Sequence, residues 1–524
     1  MNTTEFLSIA SSICPDRNAI VFEGRRLRFS ELQERVNRLA NALIAAGIQK
    51  ADRIAVLQVN CPQYVETYFA TAQLGAIFVP LNFRAKQNEL IHMLNNSESR
   101  VLFVGERYVD MVQEMKQNLV SAPQLVCMDG DSHGMAAYEQ MLAQHSSDQA
   151  FVEVDDRDTT ILMYTAGTTG LPKGVPLSHG AFSVYVLENI TPADPEAQET
   201  NILSVPLYHV AGIHGLLAAV YGGRTVALMR QFEVNEWMDT VAREKAHRAM
   251  LVPTMLKQVI DNPSFHEKDL SSLKVITYGA ASMPFDVIKK AIGMLPWVMF
   301  INAFGQTETA STITVLGPED HRFTGTESEE VREKKWNRLA RSIGRPMPDI
   351  EIQIWDENGK PLPAGEMGEI MVRGERVMRG YWKDAVKTAK TLSANGWLHT
   401  GDMGYTDPEG YIFLSGRGDD MIIRGGENIS PEEVENMLYA HPSVDDASVI
   451  GVPDPQWGQN PRAVIVLKPG AQATEADIID FCKDRISGFK RPRSVVFVDA
   501  LPLTSTGKVQ RKILREKYGQ PRND

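Results

Sequence analysis

The chain alternates short apolar runs with longer stretches of helical periodicity. Strand-like runs and amphipathic stretches follow one another between residues 50 and 105, and the pattern returns between 200 and 305. The apolar runs are 53–58, 76–80, 101–104, 203–205, 225–229, 249–252, 275–278 and 298–301. Such alternation is typical of βαβ units with largely parallel sheets. The pattern therefore predicts two wound α/β lobes.

The pattern changes from about Ile343 onwards. Shorter alternating runs appear at 350–355, 368–372 and 411–414, with a glycine turn at 356–359. Short strands closed by glycine turns are typical of antiparallel sheets. We expect a small β-barrel-like region here, preceded by a charged stretch at 327–341 that forms an exposed helix or a mobile loop.

The pattern changes again near Asp419. Ser430 and Pro431 provide a cap and a first-turn proline for a helix, and strand, strand, helix and strand patterns follow up to Val498. A chain of 524 residues exceeds what one core usually organises. The predicted fold is α/β: a large N-terminal domain at 1–418, with two wound lobes and the barrel-like region, then a small mobile α+β C-terminal domain at 419–524.

Composition excludes several classes of protein. The net charge of -12 argues against general nucleic-acid binding, and no apolar stretch approaches the roughly 18 residues of a membrane span. Glu5 and the lack of a basic run before residues 6–13 argue against a secretory signal. Four scattered cysteines favour a reducing cytoplasm over a disulfide framework or a zinc site. A homodimer is compatible with the sequence but not indicated by it.

Positive charge is concentrated near the C-terminus. Residues 483–517 carry ten basic and three acidic side chains, which gives this segment +7 and leaves -19 for the remainder. A basic segment on an acidic protein forms either a solvated face or a local site for a polyanionic small molecule. Composition alone does not decide between the two.

The most informative segment is Tyr164-Thr-Ala-Gly-Thr-Thr-Gly-Leu-Pro-Lys-Gly174. Its glycines permit close backbone approach, while three threonine hydroxyls and Lys173 can bind phosphate oxygens. The spacing differs from the common P-loop, because Lys173 follows a proline and precedes a glycine. A surface turn with a pendant lysine is the simpler alternative, but an anion-binding loop for a nucleotide triphosphate explains the combination better.

Six further motifs follow in order along the chain. They are Tyr208-His-Val-Ala-Gly212, Tyr278-Gly-Ala-Ala281, Asn302-Ala-Phe-Gly-Gln-Thr-Glu308, Gly396-Trp-Leu-His-Thr-Gly-Asp402, Gly416-Arg-Gly-Asp-Asp420 and Pro502-Leu-Thr-Ser-Thr-Gly-Lys508. With the loop at 164–174 they resemble, essentially from end to end, the adenylate-forming enzymes. That family includes acyl-CoA synthetases, firefly-type luciferases and the adenylation domains of nonribosomal peptide synthetases.

The resemblance implies a two-step reaction. A carboxylate attacks the α-phosphorus of ATP and releases pyrophosphate, and a thiol then displaces AMP. Both steps gather negative charge, so fixed cations and amide dipoles would carry much of the catalysis. ATP and CoA would be co-substrates, with Mg²⁺ as cofactor.

The resemblance also assigns residues. The phosphates would be held by Thr165, Gly167, Thr168, Thr169, Gly170 and Lys173. The adenosine and α-phosphate would be contacted by Gly279, Ala280, Ala281, Asn302, Ala303, Phe304, Gly305, Asp402 and Arg417. Catalytic roles would fall to Lys508, Thr307, Glu308 and His209.

These assignments have plainer alternatives. Lys508, which the family pattern places between substrate carboxylate and α-phosphate, could lead a surface helix, and Glu308, the implied Mg²⁺ ligand, could cap the next segment. Phe304 stands where the family commonly has tyrosine; it could stack on adenine and equally belong to the core. His209 either gates the acid pocket or packs. Asp402 and Arg417, implied at the ribose, could form a turn and a surface ion pair.

The second step would involve the C-terminal domain. The resemblance makes Asp419 the hinge, brings Gly425 and Gly426 to the thiol channel, and suggests CoA contacts from Trp457, Phe489, Arg491 and Arg493. A plain β-turn and a solvated basic face are the alternatives.

The family arrangement places the acid pocket among 209–216, 278–281 and 303–312. These segments are mostly small or apolar, 209–216 has no carboxylate to hold an ammonium group, and 302–309 has no arginine for a second carboxylate. We therefore expect a medium-chain, alicyclic or aromatic monocarboxylic acid. The leading hypothesis is an acid:CoA ligase; the alternatives are an enzyme that loads a carrier-protein thiol and a catalytically silent nucleotide-binding regulator.

Overall fold

The computed structural model describes residues 1–130, 132–165, 171–425, 427–483, 485–504 and 508–520. Within them the α-helices are α1 Thr4–Ile13, α2 Phe29–Ala45, α3 Pro62–Gln73, α4 Gln87–Ser97, α5 Val109–Met115, α6 Tyr138–Ala143, α7 His179–Asn189, α8 Val210–Tyr221, α9 Val234–Glu244, α10 Pro253–Asp261, α11 Phe285–Met294, α12 Pro318–His321, α13 Glu329–Arg341, α14 Ala385–Thr391, α15 Pro431–Tyr439, α16 Glu475–Phe481 and α17 Arg511–Tyr518.

The β-strands are β1 Asn18–Phe22, β2 Arg25–Arg28, β3 Arg53–Leu57, β4 Ile77–Pro80, β5 Val101–Val104, β6 Gln124–Cys127, β7 Ala136–Ala137, β8 Thr159–Thr165, β9 Lys173–Ser178, β10 Thr200–Leu203, β11 Thr225–Leu228, β12 Arg248–Leu251, β13 Val275–Gly279, β14 Met299–Gln306, β15 Ser311–Leu316, β16 Ser342–Pro346, β17 Ile350–Trp355, β18 Gly368–Gly374, β19 Leu398–Thr406, β20 Ile412–Arg417, β21 Ile422–Arg424, β22 Glu427–Ile429, β23 Val444–Asp454, β24 Gly458–Leu467 and β25 Ser494–Phe497. Short 3₁₀ turns lie at Glu106–Tyr108, Lys116–Asn118, Phe265–Glu267, Thr307–Thr309 and Gly418–Asp420.

Two wound α/β lobes form the large N-terminal part, as the periodicity predicted. The first lobe has a seven-stranded sheet in the order β7-β6-β5-β3-β4-β8-β9, parallel except for the β8–β9 hairpin. The second contains β10 to β14, joined in parallel. Strands such as β4 and β5 are buried at every position, which explains their continuous apolar sequence.

Two strands differ from the sequence expectation. The run at 203–205 was expected to be a strand, but β10 ends at Leu203 because the buried amide of Asn60 takes the next backbone groups: it donates to the Val205 carbonyl and accepts from Leu207 N. In contrast, β14 continues past Ile301 to Gln306, since residues 302–306 pair with β15 as an antiparallel hairpin. Hydrogen bonds to residues distant in sequence therefore determine where β10 and β14 end.

The barrel-like region is continuous with the second lobe. Strand β16 pairs with β15 on one side and β20 on the other, so that β16 to β20 extend a thirteen-stranded path. Gly344 allows β16 to lie this close to β15, because its φ is +90° and a Cβ would lie 2.1 Å from the Val315 backbone. The stretch at 327–341 contains the helix α13, which covers this junction with Leu339.

The smaller C-terminal domain is a sheet in the order β22-β21-β24-β23, with β25 parallel to β24. Helix α15 starts where the sequence predicted, since Ser430 Oγ accepts from Glu433 N at 3.3 Å and Pro431 follows. The domain has its own core around Ile422, Val434 and Ile465. No helix in the described ranges is both long enough and apolar enough to span a bilayer.

Candidate active site

The carboxyl ends of β13 and β14 form the floor of the site. Gly279 ends β13 beside Ala303, and a Cβ on Gly279 would lie 2.0 Å from the Ala303 carbonyl oxygen. Ala280, Ala310 and Ser311 all adopt positive φ here. Such conformations cost on the order of 1–3 kcal/mol each and cluster at functional sites. Ligands of α/β sheets bind at such carboxyl ends.

Strand β14 borders an open cleft. It lies in the middle of its sheet, where both faces are normally covered, yet residues 301–308 are all half-buried. Asn302, Ala303, Phe304 and Gly305 therefore line accessible space, while Phe304 also packs against the main core. The two expected roles of Phe304, core residue and stacking surface, are geometrically compatible.

The phosphate-loop prediction falls partly outside the described residues, which omit 166–170. Its flanks form the β8–β9 hairpin, in which Thr165 pairs with Lys173. The Lys173 Nζ lies 5.5 Å from the ring centroid of Tyr381, whose hydroxyl donates to Glu308 Oε1 at 2.9 Å. Burial and the neighbouring Lys387 lower the pKa of Lys173. The hairpin cation and the Glu308 carboxylate thus share one end of the cleft.

Asp402 and Arg417 come from adjacent strands, β19 and β20. Arg417 Nε donates to Asp402 Oδ1 at 2.8 Å, and Arg417 Nη1 donates to the Thr400 carbonyl at 2.7 Å. Burial raises the pKa of Asp402 to about 6, against the opposing effects of Arg417 and Lys508. Burial prevails because Asp402 is 8% exposed, whereas the Arg417 side chain is 45% exposed and its charge is screened by water.

Lys508 joins this group from the C-terminal domain. Burial, followed by the charge of Arg417, lowers the pKa of Lys508, while Asp402 and Glu308 oppose the shift. Its side chain is nevertheless exposed by surface area. Both descriptions hold, because the amine is crowded by protein while the cleft around it stays open to water.

His209 is the residue that precedes α8, and it lies close enough to Lys508 for that charge to affect it. Burial, then Lys508 and Arg84, lowers the pKa of His209 to about 3. Its Nε2 is buried and has no hydrogen-bond partner within the described part of the chain. At neutral pH this imidazole is uncharged, so it can pack or gate but not act as a cation.

The predicted CoA residues form a separate cluster on the C-terminal sheet. Arg424 lies over the ring of Trp457 at 4.5 Å, and Trp457 is 41% exposed. Gly425 has a φ of +60°, and a Cβ there would lie 2.9 Å from that ring. Burial, followed by Arg424 and Arg491, lowers the pKa of Arg493. Phe489 instead packs against the domain core, and Gly426 lies outside the described residues.

The predicted hinge falls in the 3₁₀ turn Gly418–Asp420, directly after β20. The side chain of Asp419 is outside the described part. Its neighbour Asp420 accepts from Arg515 Nη1 at 2.6 Å and pairs with Arg511 at 3.3 Å, which ties the turn to helix α17. A contact between Lys257 Nζ of α10 and Asp445 Oδ1 of β23, at 2.8 Å, also joins the two parts.

Sequence reasoning missed two residues near these groups. Tyr381 touches both Lys173 and Glu308, and its available signal was the Gly380-Tyr381-Trp382 sequence. Arg424 lies within the basic cluster near Trp457, but it precedes the charged segment at 483–517 by some sixty positions. Only the pairing of β21 with β24 brings it there.

Comparison with known proteins identifies two family models in this chain. The model described as AMP-binding enzyme matches residues 10–382, and the AMP-binding enzyme C-terminal domain matches 433–508. The chain is similar to a feruloyl-CoA synthase of Amycolatopsis sp (36% identity, covering 96% of both chains). It is also similar to an indoleacetate–CoA ligase of Aromatoleum aromaticum (34% identity, 98% of both).

Among solved structures, the chain is similar to the anthranilate CoA ligase AuaEII in complex with anthranoyl-AMP. The two superpose with a TM-score of 0.88 at 28% identity, over 99% of this chain and 97% of the other. The match therefore includes both the large and the small domain.

Proposed function

This chain belongs to the adenylate-forming family of AMP-binding enzymes and is an acid–thiol ligase, and we propose that it is an ATP-dependent acid:CoA ligase for a monocarboxylic acid. One observation carries this proposal. Lys173, Glu308, Asp402, Arg417 and Lys508 come from widely separated segments: Lys173 and Glu308 both contact Tyr381, Arg417 pairs with Asp402, and the charges of Asp402, Arg417 and Glu308 act on Lys508. Cations and carboxylates in this arrangement suit a nucleotide phosphate and a reacting carboxylate.

In the first half-reaction, a carboxylate oxygen attacks the α-phosphorus of ATP, and the bond between that phosphorus and the β-phosphate bridging oxygen breaks. Thr165, Lys173 and the loop between them would bind the β- and γ-phosphates. Lys508 would bridge the carboxylate and the α-phosphate, with the Thr307 hydroxyl nearby. The lysine charge would stabilise the transition state, in which negative charge spreads over the reacting oxygens.

Glu308 is the proposed Mg²⁺ ligand. The Tyr381 hydroxyl donates to Glu308 Oε1, and Oε2 would bind the ion. No group of three or more His, Cys, Asp or Glu suited to a metal was found among the described residues. The single carboxylate of Glu308 fits Mg²⁺, because this ion usually takes one or two carboxylates and completes its shell with phosphates and water. The ion would neutralise phosphate charge.

We predict that Glu308→Gln raises the Mg²⁺ concentration for half-maximal pyrophosphate release by at least roughly tenfold, because an amide oxygen carries no formal charge. The measurement is a Mg²⁺ titration at fixed ATP and acid. Exposed Glu366 offers a matched control, Glu366→Gln, which should titrate like the wild type. An unchanged titration in Glu308→Gln would remove Glu308 from the metal site.

Asp402 is proposed to accept hydrogen bonds from the ribose hydroxyls, which requires its ionised form. Its pKa is raised to about 6 by burial. Protonation increases as the pH falls through this value, so kcat/KM for ATP should decrease about tenfold per pH unit below about 6. In Asp402→Asn the value should be low throughout and lose this dependence. Parallel profiles for both proteins would exclude Asp402 as the titrating group.

In the second half-reaction, the CoA sulfur attacks the acyl carbon and AMP leaves. We place the domain boundary at 418/419 and the hinge at Asp419, so that the small domain can withdraw Lys508 and bring Gly425 to the thiol channel. The cluster of Arg424, Arg491 and Arg493 beside Trp457 supports binding of the CoA phosphates and adenine.

The acid is proposed to be aromatic. Ala211 and Gly215 leave room along α8, and both are half-buried. The named relatives act on ferulic and indoleacetic acids, and the similar structure holds an anthranoyl adenylate. Medium-chain and alicyclic acids are the alternatives. All four cysteines are buried free thiols, which favours the proposed cytoplasmic location. A homodimer remains a prediction.

The proposed function is tested by measuring AMP release from ATP and Mg²⁺ across a panel of carboxylic acids, with and without CoA. AMP formation that requires both an acid and CoA supports the ligase. Acid-dependent pyrophosphate exchange without any CoA-dependent AMP formation would indicate a carrier-protein thiol instead. With no acid-dependent reaction at all, the proposed function would be wrong.

A further inference from the structure

A chain of buried hydrogen bonds runs behind the floor of the cleft. The hydroxyl of Tyr278, at the end of β13, lies 2.8 Å from His321 Nε2. The other ring nitrogen of His321, Nδ1, lies 2.7 Å from the Gly317 carbonyl oxygen. Tyr278 and His321 are both buried, so neither side chain is placed to touch a ligand. Any effect on the cleft has to pass through a neighbouring residue.

The direction of each hydrogen bond follows from the Gly317 carbonyl. A carbonyl oxygen can only accept, so His321 Nδ1 carries the proton and donates to it. Burial lowers the pKa of His321 to about 4, against the opposing effects of Gly317 and Asp320. The ring is therefore neutral at physiological pH, with Nε2 as an acceptor. Burial raises the pKa of Tyr278, so its hydroxyl keeps the proton and donates it to Nε2.

Asn302 is the next group in this chain. It is the Cα partner of Tyr278 on the neighbouring parallel strand β14, so the two side chains leave the same face of the sheet. The Asn302 amide opposes the effect of burial on the pKa of Tyr278, as a hydrogen bond to the phenol oxygen does. Because the phenol proton is already donated to His321, the phenol oxygen can only accept. The NH₂ group of Asn302 therefore faces Tyr278.

This orientation turns the carbonyl oxygen of the Asn302 amide towards the cleft. Asn302 is half-buried at the edge of the open space that borders β14. The 6-amino group of an adenine ring can donate to such an oxygen. A 6-oxo purine presents an acceptor at the same position, and two facing acceptors repel each other.

Helix α12, which carries His321, has a second attachment to the core. The buried carboxylate of Asp320 accepts from the Tyr411 hydroxyl at 3.0 Å and from Arg338 Nη1 at 3.0 Å. These bonds hold the helix independently of the His321 ring. The bond between His321 and Tyr278 is thus not needed to anchor α12.

We propose that Tyr278 and His321 are positioning residues that fix the orientation of the Asn302 amide and thereby select a 6-amino purine nucleotide over a 6-oxo purine nucleotide. This inference rests on the proposed function, which places the adenosine of ATP against Asn302. It deepens that function by assigning base selectivity to two residues that touch no substrate. A polar group left facing the wrong partner stays unpaired, which is how a polar site rejects a close analogue.

The test measures the dissociation constants of MgATP and MgITP by titration calorimetry, without acid or CoA. ITP carries an oxygen at position 6, where ATP carries the amino group. The wild type should bind ATP at least roughly 100-fold more tightly than ITP. In His321→Leu the Tyr278 hydroxyl loses its acceptor and donates to the Asn302 carbonyl oxygen, which turns the NH₂ group to the cleft. The preference should fall at least roughly tenfold, and ITP should bind more tightly than to the wild type.

Three further variants separate positioning from packing. His321→Gln should keep most of the preference, because its amide oxygen can accept from Tyr278 in place of Nε2. Tyr411→Phe is the matched control, since it removes another buried hydroxyl bonded to α12 without touching Asn302, and it should keep the wild-type preference. Should His321→Leu fail to fold, Tyr278→Phe frees the amide to rotate and should also weaken ATP binding while tightening ITP binding.

The inference is wrong if the wild type binds ATP and ITP within about threefold of each other, or if His321→Leu and Tyr278→Phe keep the wild-type preference. Equal weakening of both nucleotides would mean a structural role only, and an equal shift in Tyr411→Phe would assign the effect to α12 as a whole. Both results overturn the proposal. Failure of the ligase function would appear differently, as selective nucleotide binding without any acid- and CoA-dependent AMP release.

Discussion

Lys508→Ala is expected to lower acid-dependent pyrophosphate release by about 100- to 1,000-fold, the usual effect of removing one preorganised group that stabilises transition-state charge. The amine lies among Asp402, Glu308 and Arg417, where burial lowers its pKa. A fixed positive charge at this position stabilises the negative charge that develops on the reacting oxygens. Alanine removes this charge without adding bulk.

The effect should be confined to one half-reaction. If the small domain withdraws Lys508 before thiol attack, conversion of a supplied acyl-AMP to acyl-CoA should stay within about threefold of the wild type, well below 1.4 kcal/mol in barrier. Lys512 lies four residues further on, is 55% exposed, and provides the control Lys512→Ala. Equal losses in both half-reactions would instead indicate a damaged domain, and no loss would exclude Lys508 from catalysis.

Arg511→Met is expected to destabilise the C-terminal domain by about 3–5 kcal/mol, the cost of breaking a buried ion pair from one side. Arg511 Nη2 lies 2.7 Å from Glu435 Oε2 and 2.9 Å from Glu432 Oε1. Burial alone lowers the pKa of Arg511, but the surrounding carboxylates raise it above its ordinary value. Without the guanidinium, the buried Glu435 loses its cation.

The measurement is calorimetric unfolding combined with limited proteolysis of residues 419–520. Lys512→Met, on the exposed side of the same helix, should change stability by less than about 0.5 kcal/mol. Adding Glu435→Gln should recover part of the loss, because the uncompensated charge is removed. A loss below about 1 kcal/mol would mean that water or a neighbouring cation replaces Arg511. Adenylation should fall too, since Arg511 begins α17 three residues after Lys508 and ties that helix to Asp420 in the 418–420 turn.

Much of the fold was predictable from local pattern. Parallel strands such as Val101–Val104 are buried on both faces, so their apolar runs are unambiguous, and Ser430-Pro431 marked a helix start through local capping chemistry. The ends of β10 and β14 were not predictable, because Asn60 and β15, distant in sequence, take up their backbone hydrogen bonds. The pairing of β16 with β15 and β20 around Gly344 was not predictable either, because these strands are also distant in sequence.

The candidate site divides in a similar way. The phosphate-loop and lysine motifs could be recognised because close backbone approach and charge require particular residues at fixed spacing. Tyr381 and Arg424 gave little signal, since each is an ordinary residue in its own segment. Their relevance comes from neighbours that only folding supplies.

The sequence by itself determined the family, the α/β class and most residue types that the chemistry needs, because periodicity and short motifs are local properties of the chain. Only the tertiary structure decided that the charge of Asp402 acts on Lys508 and that burial raises the pKa of Asp402. Electrostatic effects and desolvation depend on distances through space, and sequence separation carries almost no information about those distances.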